Sequence, residues 1–186
     1  MRFLFIVLFM CMLVPTAAAA NKLKVHKSTF DGSTEVTVEP GFIYSSKKFS
    51  SRGNFLLGLH WSSAAKNVVT ITADVRGGFV NLYSEEGLQF NIDGEIIKLS
   101  SLSAMTDTEV SVYLGEVFKR STKGYPVTLD FIRRLVAADD VKVKLVAQKG
   151  YLEGDFMAKK PGAAFKGFTK FLEKIDSFES VTEKSP

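Results

Sequence analysis

Between Val68 and Val75 the chain alternates strictly, with Val69, Ile71 and Ala73 apolar and Thr70, Thr72 and Asp74 polar. A period of two cannot serve a helix, whose faces repeat every 3.6 residues; it suits a strand buried on one face and wet on the other. The same rhythm recurs in 23–26, 34–38, 88–92, 95–99 and 141–147, and apolar runs at 54–62 and 79–83 read as further strands. The turns between these runs are as telling as the runs. Asp31-Gly32, Asp93-Gly94, Gly77-Gly78 and Lys149-Gly150 supply residues that tolerate the left-handed backbone of tight hairpins. Pro40-Gly41 reads as the close of the first hairpin, and 109–118 as one strand with Val110, Val112 and Leu114 on a single face. Short strands joined by tight turns imply antiparallel pairing, as a sandwich or a half-barrel.

The last third changes period. In 128–138 the apolar residues Leu129, Ile132, Leu135 and Val136 are spaced as a helix face, with Thr128 placed to cap it and Asp130 in its first turn. After a second hairpin, Pro161 suits the first position of a final helix whose broad apolar stripe is Phe165, Phe168, Phe171, Leu172, Ile175 and Phe178. The expected fold class is therefore α+β: an antiparallel β-rich body with two helices in the C-terminal third.

The N-terminus obeys different rules. Arg2 precedes an unbroken apolar run over 3–14, Pro15 ends it, and Thr-Ala-Ala-Ala-Ala follows at 16–20. A positive residue, an apolar segment too short to span comfortably and a string of small residues make a secretory signal, here cut near Ala20. Residues 1–20 are thus read as a signal peptide and 21–186 as one exported globular domain, with no later segment suited to span a membrane. Cysteine usage sharpens the destination. The single cysteine, Cys11, lies within the signal, so the exported part has no thiol for a disulfide, a nucleophile or a zinc site. An export route without disulfides fits a bacterial periplasm or secretion from a bacterium.

The chemistry on offer is sparse. There are two histidines, His26 and His60, and neither has a partner at metal-ligand spacing. His60, beside Trp61, reads as a partly buried packing residue. The pairs Glu85-Glu86 and Asp139-Asp140 are adjacent in sequence, which turns their side chains apart on a strand and makes poor acid–base dyads. No cofactor or metal is expected. A net charge of +4, from 24 Lys plus Arg against 20 Asp plus Glu, forms no basic block of the kind that marks nucleic-acid binding.

Two surfaces stand out as candidates. The Ser-rich stretch 44–53 carries Lys47, Lys48 and Arg52, and the final helix repeats Lys166, Lys170 and Lys174 opposite its phenylalanines, with Lys159 and Lys160 just before it. Lysines in such a row suit an anionic partner. The leading expectation is a non-enzymatic binding or accessory protein of the envelope, acting on an envelope protein or an anionic surface polymer. Its rivals are a carrier of a small apolar ligand in a β-sheet pocket and a small hydrolase using His60. No motif names the ligand or the oligomeric state.

Overall fold

The structure is a computed structural model, and it describes residues 22–43, 54–157 and 162–182. The segment 1–20, expected from the sequence to be a signal, lies outside these residues, as do Lys47, Lys48, Arg52, Lys159, Lys160 and Pro161.

Among the described residues ten strands and two α-helices follow in the order β1 (Leu23–Lys27), β2 (Thr34–Phe42), β3 (Asn54–Ser62), β4 (Val68–Arg76), β5 (Leu88–Ile92), β6 (Glu95–Leu99), β7 (Asp107–Tyr113), β8 (Glu116–Thr128), α1 (Leu129–Ala137), β9 (Val141–Ala147), β10 (Gly150–Met157) and α2 (Ala163–Thr182). One sheet has six strands in the order β1-β2-β3-β4-β8-β7, the other four in the order β10-β9-β5-β6, and every pair is antiparallel. The larger sheet curls into a half-barrel, which decides between the two architectures left open by the sequence.

Inward side chains fill the space between the layers. Val69, Ile71, Ala73 and Val75 of β4 are fully buried, as the period-two pattern requires, and so are Phe90 of β5 and Val143 and Leu145 of β9. Helix α2 docks on β2 and β3 and presents Phe168, Phe171 and Ile175 to the core. The rings interlock edge to face: Phe156 lies 4.9 Å from Phe168, 5.7 Å from Phe165 and 6.4 Å from Phe90. Thr128 caps α1 as expected, its hydroxyl accepting from the Phe131 amide at 3.2 Å.

Four local readings need correction. Pro40-Gly41 does not end a hairpin: β2 runs on to Phe42, and the pairing with β3 shifts register between Val38 and Gly41. A proline has no N–H for the ladder, so a strand carries it at such an irregularity. Opposite the kink stands Gly58, where a Cβ would come within 2.7 Å of the Val38 carbonyl oxygen. Second, 109–118 is not one strand but the head of the β7–β8 hairpin, which turns at Leu114 and Gly115 with φ of 49° and 80°. Third, the segment 79–83 makes a single bridge, Leu82 to Ala147, rather than a full strand. Fourth, His60 is exposed, not partly buried. It sits on the outer face of β3 with Nδ1 3.2 Å from Thr37 Oγ1.

Among the described residues no helix is long and apolar enough to cross a membrane.

Candidate functional site

The inward row of β8 is polar where its neighbours are apolar. Ser121, Lys123 and Tyr125 are cross-strand partners of Val75, Ala73 and Ile71, and all three are buried, Lys123 to 1 % exposure. Buried polar groups must find partners, and these find the connection from β4 to β5. The Val80 amide donates to Ser121 Oγ at 2.9 Å, Lys123 Nζ donates to Ser84 Oγ at 2.8 Å, and the Tyr125 hydroxyl donates to the Tyr83 carbonyl at 2.9 Å. Lys123 also reaches the Ala104 carbonyl at 3.2 Å, so one ammonium ties the β4–β5 connection to the β6–β7 connection. Desolvation pulls the Lys123 ammonium below the usual lysine range, opposed by the charge of Asp107, while burial pushes the Tyr125 phenol up.

The other flank of the segment is bound to the β9–β10 hairpin. The Gln148 amide donates to the Asn81 carbonyl at 2.9 Å, and the Tyr83 amide to the Val146 carbonyl at 3.1 Å. Held on both sides, the segment alternates: Val80 and Leu82 turn in, Phe79, Asn81 and Tyr83 turn out.

That alternation opens a cleft of about 410 Å³ between the segment and the β9–β10 turn. Two aromatics, Phe79 (53 % exposed) and Tyr151 (50 % exposed), line it. Each ring carries an ammonium on its face, Lys119 Nζ 5.2 Å from the Phe79 centroid and Lys144 Nζ 4.2 Å from that of Tyr151. Between the rings stand Asn81 and Gln148, joined amide to amide at 3.1 Å. That bond engages an Asn81 amide proton and the Gln148 side-chain oxygen. Lys149 lines the cleft as well.

Beyond Tyr151 the surface continues. A second hollow of about 490 Å³ lies on the outer face of the four-stranded sheet, lined by Gln89, Asn91, Lys142, Lys144, Glu153 and Asp155. Lys144 belongs to this hollow and covers the ring of Tyr151, so the two clefts meet at that pair. Together they form a track of amides, lysines and two aromatic faces, with Glu153 directly across from Lys144 and Asp155 across from Lys142. Among the described residues no cluster of His, Cys, Asp or Glu is arranged to hold a metal.

The lysines singled out on the final helix are elsewhere. Lys166 and Lys170 are exposed on α2. Lys174 is half-buried, its Nζ 4.5 Å from the ring centroid of Phe178, which itself stacks on Trp61 at 6.5 Å and 8°. None of the three lines the track. Lys47, Lys48 and Arg52 fall outside the described residues. Phe79 and Tyr151 themselves were legible only as strand residues. Polar Ser121, Lys123 and Tyr125 at every second position of one strand signal a pinned connection only once that face is known to be buried. Compared with known proteins, the chain matches no family model, no curated protein sequence and no solved structure.

Proposed function

We propose that this is an exported, non-enzymatic binding protein of a bacterial envelope, and that the Phe79–Tyr151 track takes an acidic surface polysaccharide. The observation that carries the reading is the pair of half-exposed, lysine-capped rings flanking an amide pair. An exposed aromatic face stacks on the C–H face of a sugar ring, side-chain amides both donate to and accept from hydroxyls, and lysines attract the carboxylates of an acidic chain. An elongated track suits a polymer better than a small molecule. The interlocked rings between the four-stranded sheet and α2 favour a ligand held on the surface over an apolar guest in the core.

The test is isothermal titration of the purified protein with alginate, hyaluronan and neutral dextran of matched length at two salt concentrations. The acidic polymers bind, dextran binds at least tenfold more weakly, and affinity falls as salt rises. Equal affinity for dextran and alginate, or binding to none of the three, overturns the reading.

A further inference from the structure

A sheet edge exposes unpaired N–H and C=O groups, and proteins that work alone protect such edges with charged residues (lysine above all), proline, bulges or brevity. Among the described residues three of the four sheet edges are protected. Strand β1 has five residues, three of them Lys24, His26 and Lys27; β6 has five with Glu95 and Lys98 both in ion pairs; β10 is broken by a register shift between Asp155 and Met157. Strand β7 is the least protected: its charges are two carboxylates, Asp107 and Glu109, the second paired with Arg120 at 3.6 Å. Its seven residues, Asp-Thr-Glu-Val-Ser-Val-Tyr, contain no proline and no basic residue, and pair with β8 without a bulge. On its inward face Val110 and Val112 stand in line with Val117 of β8, and Val112 is 68 % exposed.

We infer that β7 pairs with β7 of a second copy across a two-fold axis, antiparallel, with Val110 opposite its own counterpart. The charges select both the partner and the register. With Val110 on the axis, Glu109 faces Ser111, Asp107 faces Tyr113 and Thr108 faces Val112, so both carboxylates of the edge meet neutral partners and all seven residues pair. Moving the axis to Glu109 sets that carboxylate against itself, and moving it to Thr108 sets Asp107 against Glu109. The strand is thus complementary to itself in the one register that uses its whole length, as a two-fold interface requires. The pairing also extends the apolar row of Val110 and Val112 across the axis, where cross-strand pairs stabilise a sheet. Lys119, which covers the ring of Phe79, is the cross-strand neighbour of Val110 on β8, so the dimer brings two tracks to flank one axis.

The native chain contains only Cys11, so a Cys11→Ser background makes any introduced cysteine unique. Light scattering on a sizing column gives twice the chain mass for the wild type and the mass of one chain for Val110→Lys, which places two ammonium groups face to face; circular dichroism confirms that the variant stays folded. Val110→Cys in the background joins into a covalent dimer on mild oxidation, at least tenfold faster than Phe30→Cys at the exposed β1–β2 turn. A wild type of single-chain mass up to 100 μM, or equal rates for the two cysteines, overturns the dimer, including in favour of a foreign strand on β7. The polysaccharide reading stands or falls separately, since it does not depend on β7.

Discussion

Lys123 and Tyr125 sit two residues apart on one strand, and burial moves their proton equilibria in opposite directions. For Lys123 the folded value lies below the unfolded one. Between the two, the unfolded chain holds a proton that the folded chain has released, so stability rises with pH up to about 10.5, the ordinary lysine value. For Tyr125 the folded value lies above the unfolded one. Its contribution is complete below pH 10.0 and is lost as pH climbs beyond that, because the unfolded phenol ionises first. Urea denaturation between pH 7 and 11 checks both signs: Lys123→Met flattens the rise, and Tyr125→Phe removes the alkaline fall. The second variant also lowers stability at pH 7 by about 1–2 kcal/mol, since the Tyr83 carbonyl loses its donor. A Lys123→Met profile as steep as the wild type contradicts the assignment. These roles were not visible in the sequence. Ser121, Lys123 and Tyr125 fall at every second position, but polar Thr122 between them hides the alternation, and the partners lie 39 and 42 residues away in the chain.

At the scale of elements, the two tight hairpins differ in how openly they declare themselves. Asp93-Gly94 takes φ of 50° and 96°, the turn these residues favour, and β5 and β6 were readable to the residue. Leu114-Gly115 takes nearly the same backbone, φ of 49° and 80°, with a residue that resists it. A leucine at a turn gives no turn signal, so β7 and the start of β8 read as one strand. Leu114 is also 86 % exposed, so burial does not repay the strain. Leu114→Asn is therefore expected to raise stability by about 0.5–1 kcal/mol, measured as a higher urea midpoint with unchanged slope. A lower midpoint shows that the leucine packs in the folded state after all. The final helix was readable for the opposite reason: phenylalanines at helical spacing have one use in a chain with a sheet to cover, and Phe168 and Phe171 are fully buried. Its lysine row was less so, because an ammonium lying on the ring of Phe178 is indistinguishable in sequence from one in water.

Over the whole molecule, the four-stranded sheet and α2 share one cluster of rings with Phe156 at its centre. Phe156→Ala is expected to cost about 3–5 kcal/mol, read from denaturation midpoints, because the side chain is fully buried between the four-stranded sheet and α2. Fold class was legible because burial imposes periodicity on most strands and on both helices. The candidate site was not, because it is assembled from the β4–β5 connection, the β9–β10 turn and β8, and no single stretch carries its pattern. The account's central claim is that the track of Phe79 and Tyr151, not the lysine row of α2, receives the acidic polymer. The decisive measurement is alginate titration of two double variants beside the wild type, Phe79→Ala/Tyr151→Ala and Lys166→Ala/Lys170→Ala. A loss of at least tenfold, about 1.4 kcal/mol, in the first and less than twofold in the second is the predicted result. Undiminished binding by the first variant, or a larger loss in the second, contradicts it.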